Sequence, residues 1–269
     1  MNSNTNEDEV DEALIEQCAQ QVANAKRVVI FTGAGMSAES GIGTFRGGSG
    51  LWSGVLGKLV LGWFGTPIGW NWTPGFAWSQ YVDKFYNPMR DAQPNPGHYA
   101  LAQLESKFPN SFDIITQNVD GLHQRAGSDP SIVYEVHGTV RRHRCIKNGH
   151  IYPFDSDVIP TTSPRCLECD SGLRPDCVLF TESLPHEPFS RSDMAVSRLA
   201  RGDVMIVVGT SAAVYPAAGL PVEAARRGAT VMEVNLQPTE FSSLDNYKWM
   251  GKRAGVVLPN LVERVVKLR

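Results

Sequence analysis

The 269-residue chain has no run of 18 apolar residues, because charges, glycines, prolines or polar groups interrupt every candidate, so no membrane-spanning helix is expected. It has no strong charge of either sign. The formal net charge is −3, and five acids (Glu7, Asp8, Glu9, Asp11, Glu12) crowd the first twelve residues, which leaves the remainder near neutrality and without an electrostatic footprint for nucleic acid. Neither a basic-plus-apolar leader nor an Arg-rich one opens the chain, so a cytoplasmic or nuclear location is expected. Cysteines are few and odd in number, five. Three of them, Cys145, Cys166 and Cys169, cluster; without an export signal thiols stay reduced, which favours a metal over a disulfide.

What is present is ordinary for a folded protein: 42% hydrophobic and 20% charged residues, with 25 Gly and 17 Pro. After a polar, acidic start, Val10, Leu14, Ile15, Cys18 and Val22 recur at helical spacing. From residue 27 the pattern is apolar strand, glycine-bearing or polar turn, then helix. It repeats at Val28–Thr32 before Gly33, Phe112–Thr116 before Gln117, Val204–Val208 before Gly209, and Thr230–Asn235 before Leu236. Continuous runs such as Val204 to Val208 are the mark of strands covered on both faces, so an α/β fold with a Rossmann-like, doubly wound parallel sheet is expected. Helices are expected over Gly97–Lys107 and Gly219–Arg227. Two stretches break the alternation: Gly47 to Pro96, rich in Gly, Pro and Trp, and Arg141 to Pro175, which holds the cysteine cluster. The domain reading is therefore an N-terminal tail and helix over 1–26, then one catalytic domain over 27–269. Its large part takes 27–46, 97–140 and 176–269, and a smaller inserted helical and zinc-ribbon-like module takes 47–96 and 141–175.

The strand Val28–Thr32 runs into Gly33-Ala34-Gly35-Met36-Ser37-Ala38, a Gly-x-Gly-x-x-Ala turn of the kind that lets backbone approach a pyrophosphate at a helix N-terminus. A dehydrogenase of this plan places an acid about 20 residues further on to hold the adenosine ribose. Here no Asp or Glu occurs between Glu39 and Asp83. Instead a glycine-punctuated loop carries Thr44, Phe45, Arg46 and Trp52. Polar groups also end the other strands: Gln117, Asn118 and Asp120 after the second, His137 after another apolar run, Gly209-Thr210-Ser211, and Asn235 with Gln237. All should meet at the carboxyl edge of the sheet, where ligands bind in such folds.

Taken in order, Gly33 to Ile42, Thr44-Phe45-Arg46, Thr116 to His123, His137-Gly138, the cysteine cluster, Arg174-Pro175-Asp176, Gly209-Thr210-Ser211 and Asn235-Leu236-Gln237 resemble the sirtuin family of NAD-dependent protein-lysine deacylases. The resemblance implies an NAD-binding domain beside a small Zn2+-bearing module, with acylated-lysine protein or peptide substrates meeting NAD in the cleft between them. It implies His137, Asn118 and Asp120 as catalytic groups, with His137 taking a ribose hydroxyl proton. Cofactor contacts would come from Gly33, Ala34, Gly35, Ser37, Ala38, Thr44, Phe45, Arg46, Trp52, Gln117, Asn118, Asp120, Gly209, Thr210, Ser211, Asn235, Gln237 and Ala254. Val178, Phe180 and Tyr86 would contact substrate. The products would be nicotinamide and O-acyl-ADP-ribose; mono-ADP-ribosyl transfer, NAD hydrolysis or a silent NAD-binding module are the alternatives on the same scaffold.

The chain departs from the family at three places. Only Cys166-Leu167-Glu168-Cys169 is an intact Cys-x-x-Cys pair, since Asn148 stands where Cys145 should have its partner. His150, His143 or Cys177 would complete a site of Cys145, Cys166 and Cys169, with His150 favoured; the alternative is a decayed site held by packing. Relatives that prefer acidic acyl groups carry Tyr and Arg three residues apart, whereas here Tyr86 is followed by Met89, with Arg90 one place late. Thr181 stands where glycine is usual, which would narrow the acyl-lysine tunnel. Trp63, Trp70, Trp72 and Trp78 are expected to form the core of the helical module; the alternative is an apolar acyl pocket preferring acetyl or longer fatty chains.

Overall fold

The computed structural model describes residues 11–44, 61–154, 160 and 162–269. The apolar runs become strands β1 (Val28–Thr32), β2 (Phe112–Thr116), β3 (Val133–Glu135), β7 (Val204–Val208), β8 (Thr230–Val234) and β9 (Tyr247–Met250). They form one six-stranded sheet in the order β3-β2-β1-β7-β8-β9, and every pairing is parallel. This is the Rossmann-like, doubly wound sheet. Strand order reverses direction between β1 and β7, so the topological switch point, where such sheets bind ligands, lies there.

The alternation of side chains along each strand explains why the runs are mostly apolar. Val28 and Ile30 of β1, Ile114 of β2, Ile206 of β7 and Met232 of β8 face a core built with α1 (Glu12–Asn24), α5 (Pro96–Glu105) and α9 (Ala254–Leu268). Val29, Phe31, Ile115, Met205 and Val231 face the opposite core, under α7 (His186–Ser197) and α8 (Gly219–Arg226). Each fully buried Val, Ile or Phe contributes about 1.5–3 kcal/mol, so both layers anchor the strand ends that carry the polar turns. Helix starts follow from their caps: the Asp11 carboxylate accepts from Leu14 N, and Asn95 and His98 form a reciprocal capping box before α5, with Pro96 in its first turn.

The cysteine segment forms a separate antiparallel sheet, β5-β4-β6, from β4 (Gly138–Cys145), β5 (Ile151–Pro153) and β6 (Leu173–Cys177). Beside it lie α2 (Pro67–Trp72), α3 (Pro74–Tyr81), a π-helical turn over Val82–Tyr86, and α4 (Asn87–Asp91). The tryptophans do not act as one core. Trp70 and Trp78 are buried, but Trp63 is 41% and Trp72 80% exposed. Helical geometry separates them, since residues two apart on α2, such as Trp70 and Trp72, point to different sides. Trp78 joins the two halves of the module: its ring meets His143 and Phe154 edge-on, and its indole N–H donates to the Pro160 carbonyl at 2.9 Å.

Candidate active site

The segment after β1 is a seven-residue 3-10 helix, Ala34–Ser40, rather than an α-helix. Its cause is the approach of the neighbouring turn. Gly33 N donates to Val208 O and Gly35 N to Gly209 O, at 2.9 and 2.8 Å. A Cβ on Gly35 would sit 2.7 Å from the Gly209 Cα. These glycines are therefore required by backbone-to-backbone packing at the switch point, and their N–H groups are already spent there.

The polar strand ends converge as one network. Ser37 Oγ donates to Asp120 at 2.7 Å, and the Asn118 amide donates to Gly33 O at 3.0 Å and to Ser37 Oγ at 3.1 Å. Leu122 N caps the other Asp120 oxygen at 2.9 Å. Burial pushes the Asp120 carboxyl up, while these bonds and the cations Arg125 and Arg141 oppose it. On the β7 side Gln117 Nε2 donates to Thr210 Oγ1 at 3.0 Å, and Asn235 Nδ2 donates to Thr210 O at 2.8 Å. Ser37, Asn118, Asp120 and Thr210 are buried; Ser211 and Gln237 are exposed at the rim, and Ala254 is buried at the start of α9. Ala34 is half-buried, Ala38 exposed, and Thr44 half-buried. Phe45, Arg46 and Trp52 lie outside the described residues.

His137 follows β3 and is partly buried. Its Nδ1 stands 3.1 Å from the Gln117 carbonyl. A carbonyl only accepts, so Nδ1 carries the proton and Nε2 presents a lone pair. Burial lowers the His137 pKa below its ordinary value, partly opposed by that carbonyl, which keeps the ring neutral and able to accept a proton. His98 and His123 are buried together behind the crevice, their rings edge to face at 5.0 Å, and serve structure.

Beside His137, Val178 N donates to the His137 carbonyl and Phe180 N to the Gly65 carbonyl, so the strand-like segment 178–180 bridges the crevice and the helical module. Its shape is held by Glu182, which accepts from Arg174 Nη2 at 2.5 Å and Leu179 N at 2.9 Å. Thr181 adopts φ +76° and is exposed. The glycine usual at this place therefore answers a left-handed backbone rather than a need for space. Thr181→Gly is expected to raise stability by about 1 kcal/mol, read from urea unfolding midpoints, because the β-branched side chain pays that strain here. Tyr86 is buried against Tyr81 and Phe154.

Cys145, His150, Cys166 and Cys169 place one ligand atom each within 4.8 Å of one another. Cys145 and Cys169 sulfurs are 3.5 Å apart, and His150 Nδ1 is 3.2 Å from Cys166 Sγ. Four ligands around one zinc ion stand roughly 3.3–3.8 Å apart, so the three thiols and the imidazole fit Zn2+. Asn148 contributes its backbone N–H to Cys145 Sγ at 3.4 Å, leaving its side chain out of the set. His143 and Cys177 are elsewhere: His143 packs on Phe154, and Cys177 belongs to the aromatic cluster of the helical module. The Glu168 carboxylate is 3.3 Å from His150 Nε2, orienting the ring as ligand imidazoles require. Chelator treatment is expected to release about one zinc per chain and to lower the unfolding temperature by several degrees, measured by metal analysis and calorimetry. A preparation free of zinc with unchanged melting would contradict this.

Residues 33–216 match the profile of the Sir2 family. The chain is 44% identical over 250 residues to NAD-dependent protein deacylase 2 of Pyrobaculum aerophilum, covering 92% of this chain and 94% of that protein. It superposes on a Sir2 homologue solved with NAD at a TM-score of 0.82 and 37% identity, covering 94% and 95% of the two chains. It superposes on Sir2Tm bound to a propionylated peptide at 0.76 and 30%, covering 93% and 97%. The family profile and the extent of these matches together establish that this chain belongs to the Sir2 family.

Proposed function

We propose that this chain is an NAD-dependent protein-lysine deacylase acting first on acetyl-lysine, and that the polar groups gathered at the β1/β7 switch point are its site. NAD supplies a ribose carbon bearing nicotinamide as leaving group, to which the acyl oxygen is transferred. The observation that carries the reading is the neutral His137, whose Nδ1 is engaged by the carbonyl of Gln117, the residue before Asn118 of the Asn118–Ser37–Asp120 network, leaving Nε2 as a base. The donor set fits a ribose-bearing ligand: a basic nitrogen, a buried amide and a buried carboxylate converge where ribose hydroxyls need partners. Asn118, its amide hydrogens directed to Gly33 O and Ser37 Oγ, positions the ribose, and Asp120 grips the nicotinamide amide. Gly33 and Gly35, whose N–H groups bond to the β7 turn, keep the turn bare of side chains so that a pyrophosphate can approach it, and Thr210, Ser211 and Asn235 serve the adenosine end. Val178 and Phe180 line the acyl-lysine strand.

The surroundings of Tyr86 support acetyl over an acidic acyl group. Met89, at the position that needs a cation, is buried. Arg90, one residue late, turns its Nε and Nη2 onto the two oxygens of Asp91 at 2.7 and 3.0 Å. Incubation with NAD and a panel of acetyl, succinyl and myristoyl peptides, followed by product masses, tests class and preference at once. Free lysine peptide with acyl-ADP-ribose, formed fastest from acetyl, is expected. A mass gain on protein, or free ADP-ribose alone, would replace deacylation by ADP-ribosyl transfer or NAD hydrolysis. Among the described residues no helix is long and apolar enough to cross a membrane, and the cytoplasmic or nuclear location is part of this proposal.

A further inference from the structure

The small sheet brings two further side chains to the cysteine cluster, Glu168 and Tyr152, and neither belongs to the set of four ligands. The turn after β4 closes with Cys145 N donating to His150 O at 2.8 Å and with Gly149 at φ +71°. His150 therefore enters β5 opposite Cys145. Tyr152, two residues on, projects from the same face of the strand, because side chains along a strand repeat every second residue. Glu168 lies between Cys166 and Cys169 in the loop that faces them.

These side chains close a ring. His150 Nδ1 is 3.2 Å from Cys166 Sγ, while its other nitrogen, Nε2, is 3.3 Å from Glu168 Oε2. A carboxylate accepts and does not donate, so it selects the tautomer with the proton on Nε2, and Nδ1 keeps its lone pair toward the thiols. The Tyr152 hydroxyl is 3.2 Å from Cys166 Sγ and 3.3 Å from Glu168 Oε1, and its single hydrogen ties the sulfur to the carboxylate. Four thiolates leave a zinc site with two net negative charges, whereas three thiolates and a neutral imidazole leave one. Glu168, behind the imidazole, supplies the second.

We propose that Glu168 stands in for the absent fourth thiolate, as the charge behind His150 rather than as a ligand, and that Tyr152 holds it in that place. Asn148 then marks an exchange and not a decayed site: one anion touching the metal has given way to a neutral ligand backed by an outer anion. An outer-shell carboxylate fixes the ring of a ligand imidazole and raises its basicity, so both effects strengthen the hold on zinc. Glu168 and Tyr152 are positioning residues, since each acts through a ligand. The inference concerns metal binding and stands apart from the deacylase reading, so its test reads metal and not turnover.

The test challenges the zinc-loaded, full-length protein with a chromogenic chelator and compares dissociation constants and release rates. Glu168→Gln keeps an oxygen for Nε2–H and removes only the charge. It is expected to weaken zinc about tenfold, the lower end for an outer-shell partner, because the Glu168 side chain is 62% exposed and screened. Glu168→Ala removes oxygen and charge together and is expected to cost up to about a hundredfold. Tyr152→Phe keeps the charge but frees the carboxylate, and is expected to fall between wild type and Glu168→Gln. His150→Cys is the decisive background: it supplies a fourth thiolate, so Glu168→Gln there is expected to cost less than about threefold. Cobalt substitution reads the ligand set directly, since its visible bands shift when an imidazole gives way to a thiolate. If a metal-free variant does not fold, the release rate from the loaded chain gives the same ordering. A wild-type chain that binds no zinc, a cobalt spectrum unchanged by His150→Cys, wild-type affinity in Glu168→Gln, or an equal loss in both backgrounds overturns the inference.

Discussion

His137→Ala is expected to slow deacylation by about a thousandfold while NAD affinity stays within about threefold, because a positioned general base contributes roughly 10²–10⁴ in rate and little to ground-state binding. The imidazole has the required tautomer, fixed by the Gln117 carbonyl at 3.1 Å. Steady-state turnover of an acetyl peptide and NAD titration of the same preparation measure the two quantities. Equal turnover in variant and wild type would remove His137 from the mechanism. The pH profile carries the sign of its environment. Burial lowers the His137 pKa, and the deprotonated ring is the active one, so kcat/KM rises with pH through that lowered value and is level above the ordinary 6.5. An acid limb centred above 6.5 would mean that another group titrates.

Gly209→Ala is expected to be strongly destabilising. Gly209 sits at φ +59°, and its added Cβ would meet Met36 N at 2.3 Å and the Gly35 carbonyl carbon at 2.4 Å, both backbone. The left-handed conformation costs about 1–2 kcal/mol for a non-glycine. Overpacking against immovable backbone adds about 1–3. Against a total stability of about 5–15 kcal/mol the loss is large, and it separates the two turns that form the crevice, so NAD binding should go with it. Gly219→Ala is the control, since its Cβ meets nothing within 4 Å. Thermal unfolding of both variants decides: melting of Gly209→Ala within a degree or two of wild type would refute the packing account.

Much of the fold was readable from the chain. The apolar runs at Val28, Phe112, Val204 and Thr230 became β1, β2, β7 and β8 within a residue of their expected ends, because strands buried on both faces are predominantly apolar and stop at polar or glycine turns. The polar groups at the strand ends were readable by type and order. Their partners were not. The buried Glu233 carboxylate meets Tyr247, fourteen residues further on, only because β8 and β9 pair. The four tryptophans looked alike as a cluster, yet Trp72 points outward and Trp78 packs on His143.

Sequence alone determined the family, the parallel sheet and the kinds of groups at each strand end, since those follow from local periodicity and ordered motifs. Tertiary structure alone decided that His150 stands with the three thiols and Glu168 behind it, and that Gly33 and Gly35 serve backbone contact with Gly209. The physical reason is that hydrogen-bond polarity and close approach depend on which distant segments the folded sheet brings side by side, and no local pattern encodes that.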